Sequence, residues 1–145
     1  MSSSASSSAP TVRTSVPGTR VILALDTSTD MLACAVARVS AVSAQDGTAA
    51  TSIDVLATGD HLCRRRANVE LTTTALETLE KAKLAMADVD QVLVGRGPGS
   101  FTGVRIGIAT AKGLACGLAT TLLGASTLDA VAWTAWQAGQ RGRLA

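Results

Sequence analysis

Asp26-Thr27-Ser28-Thr29 places one carboxylate and three hydroxyls in four consecutive positions, directly behind the apolar run at 21–25. Those groups could coordinate a magnesium-bound phosphate; the commoner use of such residues is an Asx or Ser/Thr turn closing a hairpin. A second unusual segment is GRGPGSFTGVRIG at 95–107, in which Gly95, Gly97 and Gly99 alternate before a glycine-bearing helix begins. Glycine at this density costs backbone entropy and implies close approach of something to the main chain. One occupant is an anion held by the amides of Gly99, Ser100 and Phe101 at a helix N-terminus, with Arg96 and Arg105 nearby. The segment is neither GxxxxGK[ST] nor GxGxxG, so no standard nucleotide loop is present. The other use is helix packing. At 100° per residue Gly103, Gly107, Thr110, Leu114 and Gly117 fall within about 40° of one line and make a flat face. Spacing alone favours packing of that face on the chain's own sheet over a partner surface.

Other reactive side chains are few. His61 is the single histidine, which removes HExxH helices and two-histidine metal clusters. With Arg64, Arg65 and Arg66 it forms a small basic group, read as a solvated face or as a contact for an acidic partner or nucleic acid. Cys34, Cys63 and Cys116 are odd in number, contain no CxxC pair and suit a reducing, cytoplasmic setting. Cys34 and Cys116 sit in apolar runs and read as core. A net charge of +2 and only 2% aromatic residues argue against a dedicated nucleic-acid binder, which needs a basic face and stacking surfaces. The apolar runs are too short and too interrupted by charge for a membrane helix.

The elements that must position these residues follow from periodicity. In the 145-residue chain, residues 1–19 are rich in Ser and Thr and read as a disordered tail. Residues 20–138 read as one α/β lobe, and 139–145 as the start of a link to a further lobe. Short apolar runs at 21–25 and 32–39, with 52–57 after a polar loop, predict three antiparallel strands, the last broken at Thr58-Gly59-Asp60. Residues 61–86 lack Pro and Gly and place Leu62, Val69, Leu76 and Leu79 in one sector, which predicts a long helix capped by Asp60. A strand through 89–95, a helix over 101–118, a strand in TTLLGA and a helix capped by Ser126 complete the order βββαβαβα. That is a mixed sheet with a hairpin edge and parallel inner strands, flanked by helices.

ILALDTST at 22–29, GRGPGSFTGVRIG at 95–107, AKGLA at 111–115 and GASTL at 124–128 together resemble the bacterial TsaB (YeaZ) family over about residues 20–136. The resemblance implies an actin/Hsp70/sugar-kinase-like lobe. It also implies a non-catalytic role in making N6-threonylcarbamoyladenosine (t6A) in tRNA, by pairing with the transferase TsaD and helping to recruit the ATPase TsaE. tRNA would then be met indirectly, through the complex. The implied interface helices are 61–86 and 101–118, with Leu62, Arg65, Val69, Leu76, Phe101, Gly103, Ile106, Gly107, Thr110 and Leu114 as contact residues. Under this resemblance the flat glycine face gains weight as a partner surface. The catalytic relative binds metal through an HxxxH pair after the strand corresponding to TTLLGA; residues 126–131 here read STLDAV. No cofactor is therefore expected on this chain, and ATP and metal belong to the partner subunits.

Two alternatives accompany that reading. One is an actin-like ATPase or a threonylcarbamoyl transferase-like enzyme using Asp26, Thr27, Ser28, Gly97, Gly99 and Ser100, which would need a second lobe to close over a nucleotide. The other is direct tRNA contact through Arg64, Arg65 and Arg66. An exposed interface face also favours a homodimer where no partner is present.

Overall fold

The computed structural model describes residues 18–43, 49–63 and 66–139. The elements run β1 (Thr19–Asp26), β2 (Met31–Ser43), β3 (Ala49–Leu62), α1 (Ala67–Lys81), β4 (Gln91–Gly95), α2 (Phe101–Gly117), β5 (Thr121–Ala125) and α3 (Thr127–Gln137), with a 3-10 turn at Met86–Asp88. This is the order expected from periodicity. The expected tail at 1–19 lies outside the described residues up to position 17, as do residues 140–145 of the expected link.

Strands lie in the order β3-β2-β1-β4-β5. The β1–β2 and β2–β3 pairs are antiparallel, whereas β1–β4 and β4–β5 are parallel. The continuous apolar run of β1 suits its place between β2 and β4, where both of its edges are paired. Helices α1 and α2 touch each other and share one face of the sheet, α1 over β2 and β3, α2 over β4. Leu23 and Leu25 of β1, Leu32 and Val36 of β2, and Val92 and Val94 of β4 point into this layer and meet Leu71 and Leu79 of α1. Each fully buried side chain of this size contributes about 1.5–3 kcal/mol.

Two expectations are corrected. The third strand does not break at Thr58-Gly59-Asp60 but continues to Leu62, and α1 starts at Ala67 without a side-chain cap. Gly59 is there for closeness, not for a turn: a Cβ on it would meet the Thr78 hydroxyl and come within 3.2 Å of the Thr74 methyl group. Leu62 therefore lies on a strand, not on the helix assigned to it. The buried stripe of α1 is Ala67, Leu71, Thr74, Ala75, Thr78 and Leu79, so of the expected seam only Leu79 faces the core. Val69 and Leu76 remain 62% and 50% exposed.

Candidate functional site

The turn between β1 and β2 and the glycine segment after β4 come together at the C-terminal ends of the parallel strands. Asp26 braces the turn there. Its Oδ1 accepts the Ser28 amide at 2.7 Å, an Asx turn, and its Oδ2 accepts the Thr127 hydroxyl at 2.7 Å. Gly95 lies so close to this carboxylate that a Cβ would overlap it. The Thr27 hydroxyl donates to the Gly103 carbonyl at 2.8 Å, and the Ser28 carbonyl accepts the Ser100 amide at 2.6 Å. Thr27 and Ser28 are each only 2% exposed.

The glycine segment is a set of close approaches to this turn. Gly97 adopts φ +80°, a left-handed conformation that favours glycine, and its carbonyl accepts the Thr127 amide at 3.0 Å. A Cβ on Gly99 would overlap the Ser28 carbonyl, and one on Gly103 the Thr27 carbonyl. Ser100 caps α2 by accepting the Gly103 amide at 3.2 Å. Of the cations assigned to an anion here, Arg105 stacks its guanidinium 5.2 Å from the Phe101 ring centroid, and the Arg96 stem covers Gly124.

The flat face of α2 is divided by this packing. Its buried line is Gly107, Ala111 and Ala115, with Gly103 half-buried above them. Gly107 abuts the Thr27 hydroxyl and the Val94 side chain, and Gly103 the Thr27 carbonyl, so both glycines serve close packing within the lobe. Thr110 and Leu114 are half-buried at the flank. Beside them Ile106 packs on the core and Phe101 is 75% exposed. Phe101 on α2 with Val69 and Leu76 on α1 leaves large apolar side chains in water on the helical layer. Leu62, at the end of β3, is 51% exposed. Arg64 and Arg65 lie outside the described residues; Arg66 pairs with Glu70 at 2.9 Å, and Glu70 also meets His61 at 2.9 Å.

Between the N-terminal ends of α1 and α2 lies a cleft of about 420 Å³, lined in part by Thr27, Asp30, Cys63 and Ser100. Sequence reading missed it, because Asp30 and Cys63 meet only once β3 runs on to Leu62, where the Cys63 amide donates to the Asp30 carbonyl at 3.0 Å. Cys34 is buried, and burial pushes its thiol up to about 12, so it stays protonated at neutral pH. Among the described residues no cluster of three or more His, Cys, Asp or Glu side chains is placed to hold a metal ion. Among the same residues no helix is long and apolar enough to cross a membrane.

Residues 28–142 match the family model of TsaD, tRNA N6-adenosine threonylcarbamoyltransferase. The chain is 38% identical over 116 residues to the tRNA threonylcarbamoyladenosine biosynthesis protein TsaB of Escherichia coli K12, covering 80% of this chain and 44% of that protein. TsaB of Haemophilus influenzae is 38% identical over 119 residues, covering 82% and 44%. Among solved structures, YeaZ from Pseudomonas aeruginosa superposes with a TM-score of 0.62 at 33% identity, covering 81% of this chain and 49% of that one. The chain thus spans about half the length of the relatives it matches.

Proposed function

The chain belongs to the TsaB (YeaZ) family, and on that premise we propose that it is a non-catalytic subunit of a t6A-forming complex that docks a TsaD-like transferase through the outer face of α1 and α2. The carrying observation is the exposure of Val69, Leu76 and Phe101 on a helical layer whose opposite side is fully packed. Three large apolar side chains held on rigid helices supply the anchors from which an interface draws most of its affinity. In this reading the lobe is of the actin/Hsp70/sugar-kinase type, spanning 20–138, a TsaE-like ATPase joins the pair, and tRNA is met through the complex. ATP and metal sit on the partner subunits. A homodimer through the same helices is the form adopted without TsaD.

An accessory role also fits the chemistry of the β1–β2 turn. Both Asp26 oxygens tie the turn together by accepting hydrogen bonds from the chain, a use of the carboxylate that needs no ligand. The single histidine is spent on Glu70.

The test is light scattering coupled to size exclusion, on the chain alone and mixed with the TsaD-like protein of the same organism. A mixed species of one-to-one mass, lost on Val69→Lys/Leu76→Lys and kept on Gly113→Ser, is the expected result. No mixed species from a well-folded chain, or one indifferent to the lysine pair, overturns the assignment of this face.

A further inference from the structure

Strand β3 is one edge of the sheet: it pairs with β2 on one side, and among the described residues nothing pairs with its other side. Such an edge presents unpaired N–H and C=O groups, which proteins blunt with short strands, Pro, charge or bulges. The opposite edge, β5, is blunted by length, with five residues against the fourteen of β3. The irregularity in β3 is at Leu56, which is skipped where Val36 pairs with Ala57 and Ala37 with Val55. Before that bulge, 49–55 forms a regular ladder with β2 and reads AATSIDV, without Pro, Gly or Lys. Thr51, Ser52, Ile53, Asp54 and Val55 are all exposed. Asp54 is the one charged residue of the segment, and it stands across the ladder from Arg38. Ile53 and Val55 pair with Val39 and Ala37, on the sheet face away from the buried Val36, and are 66% and 59% exposed. An extended, β-branched edge whose charge is offset by its neighbour strand is suited to further strand pairing.

We propose that residues 49–55 of β3 pair antiparallel with the same segment of a second copy of this chain, joining the two sheets edge to edge about a two-fold axis. The occupant follows from the geometry of the edge. A two-fold axis at an antiparallel edge brings each outward N–H to an outward C=O of the other copy, so the segment is its own complement. Charge agrees with this. A lone acidic edge would call for a basic peptide, whereas Arg38 beside Asp54 leaves the segment with no net charge to satisfy. Pairing also brings Ile53 and Val55 of both copies onto one face of the junction, where cross-strand apolar neighbours stabilise each other. The bulge at Leu56 bends the strand away beyond the segment and limits the length that can pair. The contact is therefore at the small end of protein interfaces, and the dimer forms at high protein concentration. It uses none of Val69, Leu76 and Phe101, so the inference stands whether or not the α1/α2 assignment does.

The experiment is sedimentation equilibrium with amide hydrogen exchange on the 145-residue chain carrying Val69→Lys/Leu76→Lys, so that the helical face contributes no association. Protein concentration is raised from about 10 μM to about 1 mM. The expected result is a monomer–dimer equilibrium in which exchange of amides within 49–55 slows about twofold at the concentration where half the chain is paired, with α1, α2 and α3 unchanged. Adding Ile53→Lys/Val55→Lys, both at exposed positions, sets like charges across the junction and is expected to raise the dissociation constant about tenfold or more. The melting temperature of the dilute chain is expected to stay unchanged, which separates lost pairing from lost folding. A chain still monomeric at about 1 mM overturns the proposal. So does a dimer indifferent to the Ile53/Val55 variant, or one that protects amides elsewhere and none within 49–55.

Discussion

At the scale of single residues the chain uses its most reactive-looking groups to hold itself together. Gly107 sits against Thr27 and Val94, so Gly107→Leu is expected to lower stability by about 1–3 kcal/mol in urea melts, with partner affinity of the folded fraction unchanged. Thr127→Ala removes one of the two hydrogen bonds to Asp26 and is expected to cost about 1 kcal/mol in the same measurement. Cys34 gives a pH dependence whose sign is fixed. Its folded value of about 12 lies above the ordinary 9.0, so the folded chain keeps a proton that the unfolded chain releases between those values. Its contribution is intact below about pH 9 and stability falls as pH rises through that window; Cys34→Ala is expected to reduce the slope by one proton in melts at increasing pH. The turn role of Asp26 and Ser28 was readable from residue type, because an Asx turn is local. The bond to Thr127, 101 residues away, was not, because nothing near Asp26 in the sequence announces it.

At the scale of elements, existence and type were legible and boundaries were not. The β3–α1 junction failed because glycine was read as a break where it serves a close approach by Thr74 and Thr78, and because strand and helix join with neither Pro nor Gly between them. The stripe of α1 failed for a related reason. Its buried face is two-thirds Ala and Thr, side chains that carry little hydrophobic signal, while the stronger apolar side chains of Val69 and Leu76 lie on the outward face. The two stripes differ sharply in expected cost. Leu71→Ala, at a site 1% exposed, is expected to lose about 2–5 kcal/mol, whereas Leu76→Ala is expected to stay within about 0.5 kcal/mol, both by denaturant melts. In α2 the buried line at Gly107, Ala111 and Ala115 is turned by about 80° from the sequence-derived line through Thr110 and Leu114, because the small side chains of Ala111 and Ala115 carry little hydrophobic signal.

At the scale of the whole molecule, the two faces of the sheet are unequal, and stability should follow them. Amide exchange is expected to be slowest in β1, β2 and β4, which share the core, and faster in β5 and α3, where no described residue of either element is buried; uniform protection across all five strands would contradict the one-sided core. The ladder order has a further bearing, on the timing of folding. Strands β1, β2 and β3 are neighbours in both sequence and space, but β4 reaches β1 only across a long separation, marked by the bond from the Val21 amide to Asp90, 69 residues on. A chain leaving the ribosome can complete its N-terminal meander while the central parallel pair is still unsynthesised. During that interval the β4 side of β1 is an unpaired edge, open to any extended segment nearby, which makes translation speed through residues 63–90 a determinant of yield.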